Sequence, residues 1–346
     1  MSKSDPTYAV GFSLWKRPHV RAFLQDREVV FTASPAGLPK SGLLEVVSWG
    51  MRYADSDFPT GSRVLRLEDG FMRSVGLGAE LVRPLSWVCD DLGIYYNPQK
   101  SSRLEAILRE GAFSSALLSR AVGLREQLTI SRVTKYNVGK TAWARPQTGK
   151  RVILVPGQVE SDASIRFGAA DIKTNMGLLK EVRRRNSEAF VIYKPHPDVV
   201  AGLRAQGADE CDANLYCDSV IEDVAMSDLL DGVDEIHTMT SLTGFEALLR
   251  GKRVVTYGMP FYAGWGLTDD LGMSKSVAAR RDRTLKLDEL VAGALILYPT
   301  YVSRHTGLLT TPETVLQELK EWRRKGAKQP RWAMSMLRWG LSFMKY

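Results

Sequence analysis

Four short apolar runs between Arg151 and Gly258, each followed at once by a polar or proline-rich turn, constrain this chain more than any other feature. They are RVILVPG from Arg151, Ala189–Lys194 leading into Pro195–His196–Pro197, Glu235–Met239, and Arg253–Tyr257 closed by Gly258. Between them Thr174–Arg184 reads as an amphipathic helix and Ser241–Arg250 as a short one. Strand and helix alternating in this way predict a largely parallel sheet covered on both faces. Ligands bind such sheets beyond the carboxyl ends of the strands. Here those ends read PGQVESD (Pro156–Asp162), KPHPD (Lys194–Asp198), HTMTSLTG (His237–Gly244) and YGMPFYAGW (Tyr257–Trp265). Together they predict a cleft that takes a phosphorylated ligand.

The first half repeats the alternation less clearly. Tyr8–Phe12, Val29–Thr32, Leu44–Trp49, Arg63–Leu67 and Trp87–Cys89 read as strands, several followed by glycine or acidic turns. Ser102 with Glu105 three residues on has capping-box spacing and opens a helical run to Leu118. The polar stretch NVGKTAWARPQTGK, broken by glycine and proline, marks a boundary near residue 145. The expected fold class is α/β, with two Rossmann-like domains facing an interdomain cleft. The expected units are residues 1–145 on the acceptor side, 146–310 on the nucleotide side, and 311–346 as C-terminal helices. Tyr298–Leu309 reads as a crossover, and Thr311–Pro312 as the capped start of a helix.

Composition removes other classes. With 346 residues, 44% hydrophobic and 25% charged, the chain is neither disordered nor fibrous. Cys89, Cys211 and Cys217 are too few and irregular for a disulfide framework or a CxxC metal site. The N-terminus has no apolar signal-peptide core, and no stretch is long and apolar enough to span a bilayer, so the expected compartment is cytoplasmic. The net charge of +8 (47 − 39) is concentrated at one end: Arg323, Arg324, Lys325, Lys328, Arg331, Arg338 and Lys345 face one acid after residue 320. That asymmetry points to an anionic membrane surface or partner rather than to nucleic acid. Trp332, Met336, Trp339 and Phe343, spaced four, three and four, share one face of a helix. Large apolar residues opposite basic ones suit an interfacial helix, or a helix packed on the body.

Each candidate site residue carries two readings. His196, fixed between prolines, either donates to a phosphate or locks a tight turn; Lys194 either adds positive charge or is a solvated lysine. Thr240 and Ser241, where a strand meets a helix, offer hydroxyls beside unpaired amides. Glu246 either binds a ribose hydroxyl or closes a capping box with Thr243. Glu68 and Asp69 after one strand, and Asp162 after another, place carboxylates on each side of the cleft or simply occupy solvated loops. Asp90 and Asp91 have no DxD, HExxH or His/Cys neighbour, so no metal site is expected. Phe261, Tyr262 and Trp265 either wall a sugar pocket or pack as a loop, and His19 and His305 are isolated.

LEDGFMRS, DDLGIYY, PGQVESDASI, YKPHPDV, HTMTSLTGFEALLRG and YGMPFYAGWGLTDD, in order over about residues 8–310, resemble the bacterial capsule polysaccharide β-Kdo transferases. The resemblance is closest to the C-terminal module of the two-module capsule enzyme, although this chain carries one module. It implies a GT-B-like fold that transfers 3-deoxy-D-manno-oct-2-ulosonic acid (Kdo) from CMP-β-Kdo, with retention, to a Kdo-terminated lipid-linked acceptor. No metal or other cofactor is implied. By the same resemblance His196, Ser241 and Glu246 meet CMP, with Lys194 and Thr240 beside them. Glu68 is then the acid/base and Asp162 the nucleophile, although Ser161 stands where the capsule pattern usually has an acid. Arg73, Arg166 and Lys194 are candidates to offset the sugar carboxylate. A peripheral position on the inner face of the cytoplasmic membrane, among other capsule biosynthesis proteins, follows from a lipid-linked acceptor. The alternatives are a transferase for another CMP-activated 2-keto sugar acid, or a non-catalytic glycan- or nucleotide-binding component of capsule assembly.

Overall fold

The computed structural model describes residues 5–40, 42–76, 82–135, 139, 141 and 143–325. In chain order the strands are β1 (Thr7–Val10), β2 (Val29–Thr32), β3 (Glu45–Trp49), β4 (Arg63–Asp69) and β5 (Ser86–Asp90). Then come β6 (Val152–Pro156), β7 (Phe190–Lys194), β8 (Ser219–Val220), β9 (Glu235–Thr238), β10 (Arg253–Thr256) and β11 (Asp269–Asp270), and finally β12 (Pro299–Val302) and β13 (Leu309–Thr310). They form two sheets, ordered β13-β12-β5-β4-β3-β1-β2 and β11-β10-β9-β6-β7-β8.

The second sheet is parallel throughout. In the first, β1 to β4 run parallel, while β5, β12 and β13 form an antiparallel edge. This is an α/β fold of GT-B-like layout. Apolar residues fill both faces of the second sheet: Leu154, Ile192 and Ile236 on one, Ile153, Val191 and Tyr193 on the other. That two-sided burial is why those strands read as unbroken apolar runs.

Two sequence readings need correction. The helical run from Ser102 to Leu118 is two helices, Arg103–Glu110 and Ser115–Ser131. Gly111 ends the first in the left-handed region (φ +65), and Ser114 caps the second by accepting from Leu117 N–H. The stretch Tyr298–Leu309 is more than a crossover, because β12 pairs with β5 and β13 extends that edge. Residues 299–310 thus complete the first sheet although they follow the second in sequence.

The helix Pro312–Lys325 belongs to the body: Val315, Leu319 and Trp322 are buried, and Glu318 accepts from the Ser303 hydroxyl (2.5 Å) and Arg304 N–H (2.6 Å). The aromatic stripe from Trp332 to Phe343 lies outside the described residues.

One apolar core joins the two sheets. Phe71, Val88, Leu104 and Leu124 of the first half pack in the same cluster as Leu154, Phe245, Phe261 and Trp265. Phe71 stacks on Phe261, with ring centroids 4.5 Å apart. At the same junction the buried Glu105 carboxylate binds Arg280 (2.7 Å) and Arg281 (3.2 Å), and Arg281 also donates to the carbonyls of Pro260 and Ala263. An apolar interface with a buried ion pair holds the halves in one arrangement, so the cleft walls have a common frame.

Candidate active-site cleft

Glu68 and Asp69 are the last residues of β4, where the strand ends at the cleft. Asp69 accepts from Arg73 Nε (2.7 Å) and from Trp87 Nε1 (3.2 Å). Burial works to raise the Asp69 pKa, but the charges of Arg73, Lys135 and Lys16 outweigh it and hold the carboxyl below its usual range. Glu68 moves the other way: burial first, then the Asp69 charge, push it up to about 7, although its Oε1 accepts Asp69 N–H at 2.9 Å. Two adjacent acids are thereby separated into one that stays ionised and one poised near neutrality.

The turn after β3 shapes the space around Glu68. Gly50 has φ +44, and a Cβ there would overlap the Tyr96 hydroxyl and lie 3.0 Å from Glu68 Oε2. Tyr96 Oη in turn accepts Met51 N–H at 3.1 Å. Glycine is required at this position on both conformational and steric grounds.

On the facing wall, Gln158 follows β6 and ties it to the turn after β9. Its Oε1 accepts Thr240 N–H (2.9 Å) and the Thr238 hydroxyl (3.3 Å), while its Nε2 donates to Thr240 Oγ1 (2.9 Å). Ser241 Oγ caps the helix Leu242–Leu248 by accepting from Thr243 N–H, and the Tyr262 hydroxyl donates to the Ser241 carbonyl (2.5 Å). The expected Thr243–Glu246 capping box is absent: Ser241 is the cap, and Glu246 accepts Lys135 N–H at 2.7 Å. Burial raises the Glu246 pKa.

His196 sits after β7 with its Nδ1 accepting from Asp198 N–H at 3.1 Å. Burial, then the Lys135 and Arg204 charges, lower its pKa to about 4, so the ring is neutral with its proton on Nε2. That contact locks the turn and leaves Nε2–H as the donor of the ring. Lys194 donates to the Glu222 carbonyl (2.6 Å), and burial lowers its pKa to about 8. Asp162, at the head of the helix Ala163–Gly168, pairs with Arg204 at 2.5 Å; both are partly exposed.

A cavity of about 480 Å³ lies between the walls and is lined by Glu68, Asp69, Asp162, His196, Thr240 and Ser241. A second, of about 330 Å³, is lined by Lys194, His196, Ser241 and Glu246. His196 and Ser241 border both, so the two spaces adjoin. Every residue singled out for catalysis or nucleotide contact therefore lines one or both cavities.

Others do not join them. Asp90 organises its own turn, accepting from Leu92 and Gly93 N–H and from the Tyr298 hydroxyl, and Asp91 binds Arg103. His237 is buried between Tyr257 and Glu235. Arg166 lies over the Phe167 ring, whereas Arg73 is in the cleft. Of the aromatic loop, Phe261 lines the cleft while Tyr262 and Trp265 are core. Sequence reading missed Trp15, Lys16, Trp49, Trp87 and Tyr96 of the first wall, and the roles of Gln158 and Arg204 on the second. Gln158 and Tyr96 stood inside recognised motifs; Trp15, Lys16, Trp49, Trp87 and Arg204 carried no local signal.

This chain is similar to capsule and lipopolysaccharide proteins. The family described as "capsule polysaccharide biosynthesis protein" matches residues 59–139 and 120–301. The capsule polysaccharide modification protein LipA of Neisseria meningitidis serogroup A is 47% identical over 323 residues, 90% of this chain and 45% of LipA. The lipopolysaccharide-processing protein LpsZ of Rhizobium meliloti is 40% identical over 84% of this chain and 69% of its own length. This chain thus spans about half the length of LipA. Among solved structures, a Thermosulfurimonas dismutans KpsC beta Kdo 2,7 transferase is 39% identical with a TM-score of 0.77, covering 92% of this chain and 99% of its own. A beta Kdo 2,4 transferase of the same KpsC is 34% identical with a TM-score of 0.80 over the same shares. The chain belongs to the capsule polysaccharide biosynthesis protein family.

Proposed function

We propose that this cleft transfers Kdo from CMP-β-Kdo, with retention of configuration, to a Kdo-terminated, lipid-linked acceptor in capsule biosynthesis. The observation that carries the reading is the pairing of a near-neutral Glu68 with Asp162 in one cavity that adjoins a nucleotide-sized one. The similarity to two beta Kdo transferases supports the sugar.

In the first step the Asp162 carboxylate attacks the anomeric carbon of Kdo. The bond from that carbon to the phosphate oxygen breaks, CMP departs with the electron pair, and a glycosyl–aspartate ester forms. In the second step ionised Glu68 takes the proton of an acceptor hydroxyl, whose oxygen attacks the same carbon and releases Asp162. Two inversions give net retention. His196 Nε2–H and the Ser241 and Thr240 hydroxyls face the departing phosphate, Lys194 adds positive charge, and Glu246 meets the ribose. No metal takes part in this scheme.

No helix among the described residues is long and apolar enough to cross a membrane. In this proposal the basic stripe of residues 331–346 holds the protein on the anionic inner face of the cytoplasmic membrane, near its acceptor and other capsule proteins.

The test is incubation with preformed CMP-β-Kdo and a synthetic Kdo-terminated acceptor, with and without EDTA, followed by mass and linkage analysis. Transfer of β-Kdo in EDTA is expected, with little use of UDP-glucose or CMP-sialic acid. Glu68→Gln should slow transfer by about 10²–10⁴-fold and, with donor alone, accumulate a Kdo adduct on Asp162. Asp162→Ala should form no adduct while still binding CMP. Normal turnover by Asp162→Ala, or an adduct elsewhere, removes the nucleophile assignment. Equal turnover of UDP-glucose removes the donor assignment.

A further inference from the structure

The sequence places Trp15 and Lys16 just before a short helix, Arg17–Phe23, and nothing local marks either as functional. The fold brings both to the first-sheet wall of the larger cavity, where Trp49, Trp87 and Glu68 also lie. Lys16 Nζ stands 3.0 Å from the centroid of the Trp49 ring. Trp49 packs edge-on against Trp87, with centroids 5.1 Å apart. Among the described residues the Lys16 ammonium makes no ion pair within 4.0 Å; its near neighbours include the charges of Glu68, Asp69, Arg73 and Arg52. Burial lowers its pKa to about 8, and Glu68 and Asp69 act to raise it, leaving it mainly protonated at neutral pH.

The other cleft cations are engaged. Arg73 is bound by Asp69, and Arg204 by Asp162 on the facing wall. Lys135 lines both cavities, its backbone N–H donating to Glu246 and its charge acting on Glu68 and Asp69. Beside Glu68 and Asp69, then, Arg73 is taken up by Asp69, the Lys135 charge acts on both acids, and the half-buried Lys16 ammonium is lodged on an indole. A neutral sugar would use the indole faces and leave that ammonium unanswered. A sugar acid would use both, and it needs a cation there because Asp69 is ionised and Glu68 must ionise to act as base.

We propose that Lys16 binds the carboxylate of the acceptor sugar and sets the preference of this cleft for acidic over neutral acceptors. This rests on the transferase reading above and assigns it a specificity-determining residue on the acceptor side. The flat face of the sugar packs on the Trp15 and Trp49 side of the cavity, and the ammonium takes the carboxylate. That contact turns an acceptor hydroxyl toward Glu68, which shares the wall.

The experiment compares a Kdo methyl glycoside with its C1 methyl ester, which keeps shape and hydroxyls but removes the charge. Tryptophan fluorescence titration reads binding to the full-length protein, and kcat/KM with CMP-β-Kdo reads transfer. The native protein should favour the acid over the ester by roughly tenfold or more, the worth of a charge-assisted hydrogen bond. Lys16→Met, which keeps an apolar chain over Trp49, should bring that ratio close to one by losing the acid alone. Lys16→Arg should restore most of it.

A ratio unchanged in a folded Lys16→Met protein overturns the proposal, as does a native protein that treats acid and ester alike. Should CMP-β-Kdo fail as donor, the titration still decides for or against Lys16. The transferase reading then fails separately.

Discussion

On the first-sheet wall of the cleft, functional groups are held by partners distant in sequence; on the second, the turns at His196 and Ser241 are set by partners two or three residues away, although Lys194, Asp162, Thr240 and Glu246 are held from farther off. Asp69 is fixed by Trp87, Tyr96 by Met51, and Glu68 is crowded by the turn at Gly50. Across the gap, His196 is set by Asp198, and Ser241 by Thr243 and Thr238. The first wall therefore depends on the whole sheet being formed, and there burial tunes acids. On the second, the turns at His196 and Ser241 are self-contained and present neutral donors, and Gln158 ties the strand end of β6 to the turn at Thr240.

The largest expected break in that contrast is Gly50→Ala. The substitution meets strain from a positive φ, costing about 1–3 kcal/mol, and overlap with Tyr96 adds a similar cost. Gly149, with φ +64 and nothing within 4 Å of its would-be Cβ, supplies the control for strain alone. Thermal melting should show Gly50→Ala losing several degrees more than Gly149→Ala. Transfer should fall further than residual fold content explains, because Glu68 is displaced. Equal losses in the two variants would mean the first wall tolerates movement that its packing forbids.

The same contrast explains what the sequence disclosed. The strand ends KPHPD and HTMTSLTG carry their own geometry, so His196, Ser241 and the parallel second sheet were readable from residues in a row. Glu68 and Asp162 were readable as acids after strands. Their opposite settings were not: one is buried against Asp69, the other is exposed beside Arg204. Trp15 with Lys16, Trp49 and Trp87 lie on three separate segments, and only the pairing of β1 with β3, β3 with β4 and β4 with β5 brings them to one face of a cavity. The return of β12 and β13 to the first sheet was hidden for a related reason. A two- or four-residue strand has no periodicity of its own, and its place is set by the partner edge it finds.

A middle-sized effect is expected in how the walls titrate. Glu68 has a folded pKa above its unfolded value, so its stabilising contribution is full below about 4.5 and is lost as pH rises through about 7. His196 has a folded pKa below its unfolded value, so its contribution is full above about 6.5 and is lost as pH falls toward about 4. The two signs are opposite. Glu68→Gln should therefore raise Tm relative to the native protein more at pH 8 than at pH 5. His196→Gln should flatten part of the stability loss between pH 6.5 and 4; His19 and His237, both lowered by burial, still contribute to it. Melting curves across pH 4–8 check both. A Glu68→Gln difference independent of pH would show that burial does not tune the acid.

The smallest expected effect separates the two candidate catalytic carboxyls. Asp162 and Arg204 form a short pair, yet their side chains retain 43% and 39% exposure. At such exposure the ion pair competes with water and salt and contributes about 0–1 kcal/mol. Arg204→Met should thus leave Tm nearly unchanged, in contrast to Gly50→Ala, and leave the Glu68 limb of the pH profile where it was. What should change is the first chemical step. Without the guanidinium, Asp162 loses the contact that holds its carboxylate, so glycosyl–enzyme formation measured by intact mass in the Glu68→Gln background should slow by several-fold. Added salt near 1 M should reproduce part of that slowing in the Glu68→Gln protein and add little to the double variant, because the screened interaction is already gone. Unchanged adduct formation in Arg204→Met at low salt would leave Arg204 as surface charge, and would mean that the turn at the head of Ala163–Gly168 orients Asp162 by itself.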